Sequence, residues 1–389
     1  MRLCFVTREY PPVTSYTGGI GTQFAVLATE LGRQDHDVHV LTVGPDASGG
    51  AAGDEVTLHL LAPPRGPRPV ADRTWARAVD GALRERGPFD VVYAAEWGGD
   101  ASRYSRAKAA GPLVTNLTSS YVLMLEISGR TGSLRGRVGL ATQGALERGQ
   151  AERSDAIVAC SHAILERLRA EWDIEDVPSA VLANTLDVAR TRALGRGERP
   201  PGFPADGPVV VFSGRLETRK GVDDLVAAMV TVWGSDPDVQ LVMLGGDVRH
   251  GGASTAERLR EMAVGHGDRL HLLGHQPAER LFPALAAADI VAMPSRWEPF
   301  GIAALEAMAL ARPTVLTSGS GFEEFAEPER DAVMVPPGDP GALAEAITRL
   351  LRDESLRRAL CGAAAAKAER YYAPIVAREH AEFFEQVAP

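Results

Sequence analysis

Cysteine is scarce, with three residues in 389, Cys4, Cys160 and Cys361, far apart and in or beside apolar stretches. They form neither a disulfide framework nor a zinc spacing, which fits a reducing compartment. Lysine occurs only at positions 108, 220 and 367. With 41 Lys and Arg against 51 Asp and Glu the formal net charge is −10, and there is no basic run. This argues against a nucleic-acid partner held by phosphate neutralisation. No apolar run reaches the roughly 18 residues of a membrane span, and the stretch 282–294 is broken by Asp289. Met1 leads straight into a strand-like segment, so no leader peptide and a cytoplasmic location are expected. At roughly 150 residues per domain the length suggests two domains, and 45% hydrophobic content can fill two cores.

What is present is an alternation of short β-branched runs with helical stretches. Leu3–Thr7, Asp37–Val43, Val56–Leu61, Asp90–Ala94, Leu113–Leu117, Ala156–Cys160 and Ala180–Ala183 read as buried strands. Helical segments such as Thr22–Arg33, Asp72–Arg86 and Ala163–Trp172 lie between most of them. This is the pattern of a parallel sheet covered on both faces. The Gly- and Pro-rich stretch 195–208 interrupts the series and reads as a linker. A second series follows, with strands at Val209–Phe212, Val239–Leu244, Leu270–Leu273, Ile290–Met293 and Thr314–Leu316. The expected organisation is an α/β chain of two doubly wound, Rossmann-like domains, 1–194 and 209–373. A helical tail over 374–389 needs a surface to pack on. Sheets of this kind bind ligands outside the carboxyl ends of their strands, so two facing each other would make a cleft.

Three motifs carry chemistry. Gly18-Gly19-Ile20-Gly21 lies beyond the first strand and opens a helix, where backbone N–H groups can approach a phosphate. The third glycine of a dinucleotide fingerprint is missing, and a plain glycine turn fits equally well. Gly214-Arg215, followed by Arg219-Lys220-Gly221, stands directly after the first strand of the second half. Arg215 and Lys220 there suit the charge of a diphosphate, although a solvated turn would also carry such charges. In Glu298-Pro-Phe300-Gly301-Ile302 through Glu306, two carboxylates stand eight positions apart. Pro299 prevents one helix from running through both, so they do not stack on a single helical face. Glu298 can accept hydrogen bonds from sugar hydroxyls, and the amides of Phe300, Gly301 and Ile302 open a helix and can bind an anion. For Glu306 a capping or packing role is the plain alternative.

At these residues the chain resembles the retaining nucleotide-sugar glycosyltransferases of family 4, which have the two-domain GT-B fold. The resemblance runs from Met1 to about Phe384 and includes Val6-Thr7-Arg8-Glu9-Tyr10-Pro11-Pro12 as well as the three motifs. It implies that Gly18, Gly19 and Gly21 lie against the donor pyrophosphate, and that Arg215 and Lys220 neutralise it as it leaves. Glu298 would bind the donor sugar, with Phe300, Gly301 and Ile302 presenting amides. Gly214 would border the donor, Glu306 would hold the ribose and His275 would lie beside the nucleobase. The tail would cross back onto the first domain. The resemblance also implies retention of configuration, no metal and no further cofactor beyond the sugar nucleotide, for which UDP is the expected carrier.

One departure stands out. The family's usual His falls on or near Thr118, and no His occurs between His59 and His162. Threonine does not titrate near neutral pH, so Thr118 or Ser119 would hydrogen-bond the ligand instead. Acceptor-side candidates are Glu9, Tyr16, Glu96, Trp97, Asp100 and Glu126, suited to a small polar acceptor such as a polyol or aminocyclitol. The segment Gly129–Gly139, with Arg130, Arg135 and Arg137, reads as a loop that is solvated or meets a phosphate or anionic surface. The Lys-poor, Arg- and Ala-rich composition points to a high-GC bacterial genome, and so to specialised metabolism such as antibiotic biosynthesis, or to cell-envelope glycosides. A nucleotide-sugar epimerase and a catalytically silent sugar-nucleotide-binding protein remain as alternatives.

Overall fold

The computed structural model describes residues 1–11, 13–14, 18–44, 50–51, 55–66, 68–127, 134–250 and 252–389. The chain forms two compact units, Met1–Thr185 with Ala373–Pro389, and Leu186–Tyr372. Among the described residues no helix is long and apolar enough to cross a membrane.

The first unit runs β1 (Arg2–Val6), α1 (Gly19–Arg33), β2 (Asp37–Val43), β3 (Gly50–Ala51), β4 (Val56–Leu61), α2 (Arg68–Arg86), β5 (Val91–Ala95), β6 (Leu113–Leu117), α3 (Tyr121–Ile127), α4 (Leu134–Ala151), β7 (Ala156–Ala159), α5 (His162–Arg169) and β8 (Ser179–Val181). Its sheet has the order β3-β4-β2-β1-β5-β6-β7-β8, parallel except for the short β3 edge. The central strands are buried along their whole length, which is why their sequences read as continuous apolar runs.

The second unit runs α6 (Val188–Leu194), β9 (Val209–Ser213), α7 (Val222–Ser235), β10 (Gln240–Leu244), a small hairpin of β11 (Arg249–His250) and β12 (Ala253–Ser254), α8 (Thr255–Met262), β13 (Leu270–Gly274), α9 (Ala278–Ala286), β14 (Ile290–Met293), α10 (Ile302–Ala309), β15 (Thr314–Thr317), β16 (Val333–Val335), α11 (Pro340–Arg352) and α12 (Glu354–Ala368). Its six parallel strands take the order β13-β10-β9-β14-β15-β16. A strand order that reverses at β9 is the doubly wound arrangement, with ligands expected at the carboxyl ends of β9 and β14.

Two expectations need correction. The stretch 195–208 belongs to the second unit, and the division falls ahead of α6. Gly195 donates to Thr191 to close α6, and Arg280 on α9 donates to the carbonyls of Glu198 and Arg199. The Gly- and Pro-rich run is thus tied to one unit by side-chain bonds that composition does not reveal. The segment expected as a loop over Gly129–Gly139 is helical from Leu134 onward, and Arg135 and Arg137 lie in α4. Residues 128–133, including Arg130, lie outside the described residues.

The tail forms α13 (Ala373–Val387) and packs on α1 in the first unit. Val376, Ala377, His380, Ala381 and Phe384 make its buried face at helical spacing. Phe384 meets Tyr93 at 5.1 Å between ring centroids, and Tyr93 stacks on Phe24 of α1 at 5.2 Å. The surface that the tail lacks in sequence is this aromatic core, worth several kcal/mol in buried area.

Candidate functional site

In the second unit the chemistry gathers at the carboxyl ends of β9, β14 and β15, which are neighbours in the sheet. After β9 the chain makes a 3-10 turn over Thr218–Lys220, and after β14 it enters the loop that carries Glu298. Lys220 Nζ donates to Glu298 Oε2 at 2.5 Å. Arg219 Nη1 donates to the same oxygen at 3.3 Å, and Ser295 Oγ at 3.2 Å. Oε1 has no hydrogen-bond partner among the described residues. Three donors on one oxygen fix the carboxylate and leave the other oxygen for a ligand hydroxyl.

Arg219 and Glu217 are both nearly fully buried, and neither was singled out by sequence. Arg219 Nη2 donates to Glu217 Oε1 at 2.8 Å, and its Nη1 also reaches the carbonyl of Trp297 at 3.3 Å. The Arg296 amide donates to the Arg219 carbonyl at 2.8 Å. One guanidinium therefore stitches the turn after β9 to the loop after β14. Arg215 pairs with Glu217 at 3.2 Å and is largely exposed. Arginines two residues from a glutamate look like surface charge in sequence, because the contact of Arg219 with Glu298 depends on strands far apart in the chain.

The charges oppose one another in an informative way. Desolvation raises the Glu298 carboxyl, but Lys220 and Arg219 outweigh it and hold the group below the usual range. For Lys220, desolvation lowers the ammonium more than Glu298 restores it, so its pKa is depressed. Further negative charge beside Lys220 would favour its ammonium form.

Helix α10 begins at Gly301, whose φ of 100° is left-handed and whose side chain would meet the Phe322 ring at 2.3 Å. Only glycine fits both demands. No side chain caps this helix, and the amides of Phe300, Gly301 and Ile302 make no hydrogen bond among the described residues. The Phe300 ring is buried against Phe325 and Tyr371, so only its backbone is available. Glu306, half-buried one turn inside α10, is pushed up to about 7 by desolvation, with Arg190 pulling the other way. It does not touch the Glu298 cluster. Gly214 closes β9, and its carbonyl is packed against Gly245 so closely that a side chain there would stand 1.8 Å from it. His275 is exposed beyond β13, at the sheet edge.

In the first unit, Gly18 lies at the N-cap of α1 and its amide donates to Glu9 Oε2 at 2.6 Å. A side chain on Gly21 would stand 2.6 Å from the Glu9 carbonyl, whereas Gly19 has open space around it. Glu9 thus holds the glycine turn. Its neighbour Arg8 is fixed by Asp72 at 2.6 Å and Asp100 at 2.7 Å. Asp100 is engaged there and Glu126 pairs with Arg167 at 3.7 Å. Glu96 is a correction: it is fully buried, and both its oxygens take donors from Thr118 and Ser119. It shapes the loop after β6 and does not present its carboxylate to an acceptor. Thr118 is nearly buried and donates its hydroxyl to Glu96 at 3.1 Å, while Ser119 is half-exposed. Trp97 is half-buried, edge-on to Tyr121 at 5.2 Å. Tyr16 lies outside the described residues. Among the described residues no group of three or more His, Cys, Asp or Glu side chains is arranged to hold a metal ion.

Two family profiles match, one to each half. "Glycosyltransferase Family 4" covers residues 17–190 and "Glycosyl transferases group 1" covers 197–367. The chain is 28% identical over 375 residues to glycogen synthase of Mycobacterium tuberculosis, spanning 91% of this chain and 86% of that protein. It is 29% identical over 381 residues to D-inositol 3-phosphate glycosyltransferase of Xylanimonas cellulosilytica, spanning 92% and 89%. Among solved structures, HepE of Anabaena in complex with UDP and glucose shares the fold with a TM-score of 0.72 at 20% identity, covering 99% of both chains.

Proposed function

Because the chain is a glycosyltransferase of the GT-B type, we propose that it moves a hexosyl or amino-hexosyl group from a UDP-linked donor to a hydroxyl of a small polar acceptor, with retention of configuration. The observation that carries this reading is the convergence of Lys220 and Arg219 on one oxygen of Glu298, beside the uncapped start of α10. Fixed cations and free helix amides stabilise a departing diphosphate, while the open Glu298 oxygen takes a sugar hydroxyl. The anomeric carbon–phosphate oxygen bond breaks, the acceptor oxygen bonds to that carbon on the same face, and the acceptor's proton passes to the departing phosphate oxygen. Arg215, exposed and paired with Glu217, is assigned to the diphosphate. Glu306 is assigned to the ribose and His275 to the nucleobase, and the first unit takes the acceptor. UDP is favoured because a structural neighbour was solved with it. A polyol acceptor is favoured because a relative is an inositol phosphate glycosyltransferase. No metal is assigned a role, and the reading extends to antibiotic or other specialised glycosides only through the composition.

The test is calorimetric titration with UDP, GDP, ADP and dTDP, each with and without EDTA. One diphosphate, UDP, is expected to bind clearly and equally in both conditions. Its affinity should fall as pH rises through the depressed range of Lys220, since the neutral amine no longer attracts phosphate. Binding of none of the four would overturn the reading. An acceptor panel of inositols, inositol phosphates and aminocyclitols with UDP-glucose then reports transfer, and conversion of the donor alone would indicate an epimerase.

A further inference from the structure

Helix α4 turns a polar stripe inward. Gln143, Glu147 and Gln150 are buried and stand on one face at helical spacing. Such a stripe costs stability unless every group finds a partner. The partners are the loops at the carboxyl ends of β5 and β6. Gln150 accepts from the Ala101 amide at 2.8 Å and donates to the Ala95 carbonyl at 3.0 Å and to Thr115 Oγ1 at 3.2 Å.

Glu147 divides its two oxygens between the loops. Oε1 accepts the Gly98 amide at 2.9 Å, after β5, and Oε2 accepts the Tyr121 amide and the Ser120 hydroxyl, each at 3.1 Å, after β6. Gln143 braces Oε1 at 3.4 Å. Gly99 fits under the helix so tightly that a side chain would stand 2.6 Å from Leu146 Cβ. The second buried carboxylate, Glu96, gathers the Thr118 and Ser119 amides, with distances of 2.9 and 2.6 Å. Thr118 gives its hydroxyl proton to Glu96, so toward a ligand its oxygen can only accept.

Desolvation pushes Glu147 up to about 8, opposed by the Gly98 amide and reinforced by the charge of Glu96, which itself sits at about 7. Burying two carboxylates side by side is unfavourable, and a leucine at 147 would pack without that penalty. The arrangement is understandable if loop geometry is what it serves.

We propose that Glu147 is a positioning residue: by joining the loops after β5 and β6 it sets where Thr118 and Ser119 meet the acceptor, one of whose non-reacting hydroxyls donates a hydrogen bond to Thr118. The proposal rests on the glycosyl-transfer reading and extends it to a residue outside the loops themselves. It also offers a physical role for threonine at the position where the family resemblance implies histidine.

The test is Glu147→Gln, which is isosteric but keeps only one accepting oxygen, so one loop must lose its anchor. Hydrogen exchange followed by mass spectrometry on peptides covering 96–102 and 117–124 should be faster by about 10-fold or more in at least one of them. Peptides covering β1 and β5 should be unchanged, and UDP binding should stay within about twofold, because the loops lie outside the proposed UDP site. Ser120→Ala, which removes one donor and no charge, serves as a milder variant and should affect the 117–124 peptide alone. With an acceptor from the panel, Glu147→Gln should raise the acceptor KM by about 10-fold or more with little change in the donor KM. If no acceptor turns over, the exchange result decides. Unchanged exchange in both loops, or acceleration spread evenly over the first unit, would overturn the proposal. Failure of the wild-type protein to bind any diphosphate would instead strike the glycosyl-transfer reading and leave the loop result standing.

Discussion

Replacing Lys220 by alanine should lower kcat by about 10²–10³-fold, the usual effect of removing one preorganised group that stabilises developing charge. UDP affinity should weaken by about 1–3 kcal/mol, as for loss of one charge-assisted contact. Lys220 has 19% side-chain exposure and its ammonium is held by Glu298 at 2.5 Å. That burial depresses its pKa despite the carboxylate, so added negative charge nearby would favour the ammonium. A diphosphate supplies that charge, most strongly when the leaving oxygen becomes more negative. Lys220→Arg should recover binding partly at best, since a planar fork replaces a point charge. Stability provides the control. Without Lys220, Glu298 keeps Arg219 and Ser295, so the fold should survive and the loss should appear in ligand affinity and kcat.

Glu298→Ala should behave differently. Arg219 and Lys220 would lose their shared anionic partner, and breaking a buried pair costs about 3–5 kcal/mol. The lower end is expected, because Lys220 keeps some solvent access and Arg219 keeps Glu217 at 2.8 Å. A fall in Tm of several degrees should follow. Addition of UDP should restore much of it, as the diphosphate supplies charge to the freed cations. Transfer should nevertheless fall by about 10²-fold or more, because the sugar loses the acceptor that orients it. Glu298→Gln, which keeps an oxygen but no charge, should be closer to wild type in stability and still poor in transfer. UDP affinity that holds or rises while transfer collapses separates the sugar-holding carboxylate from the diphosphate-holding cations. Parallel loss of both would mean that Glu298 acts only by keeping the site folded.

The architecture was legible because parallel strands buried on both faces must be apolar throughout. Runs such as Val209–Phe212 and Ile290–Met293 have few other uses. The C-terminal tail was legible for a similar reason, since Phe383 and Phe384 on an amphipathic helix demanded a partner. The boundary between units was not, because Gly195–Pro208 has linker composition but is held by Arg280, a residue distant in sequence. In the second unit Lys220, Glu298 and Gly301 stood out through motif spacing. Arg219 did not, because its role comes from burial between two loops that only the sheet brings together. Glu96 shows the opposite failure. An acidic residue beside a tryptophan after a strand reads as a ligand contact, yet its carboxylate is filled by backbone donors from the next strand's loop. Gln143, Glu147 and Gln150 had a signal, polar residues at i, i+4 and i+7, but a solvated helix face gives the same pattern.

Catalysis at this site requires a diphosphate held by Lys220 and the first amides of α10. A crystal structure of the protein with UDP tests this directly. The β-phosphate should lie within hydrogen-bond distance, about 3 Å, of Lys220 Nζ and of the Gly301 or Ile302 amide. A β-phosphate bound away from both, with Lys220 still closed on Glu298, would contradict it.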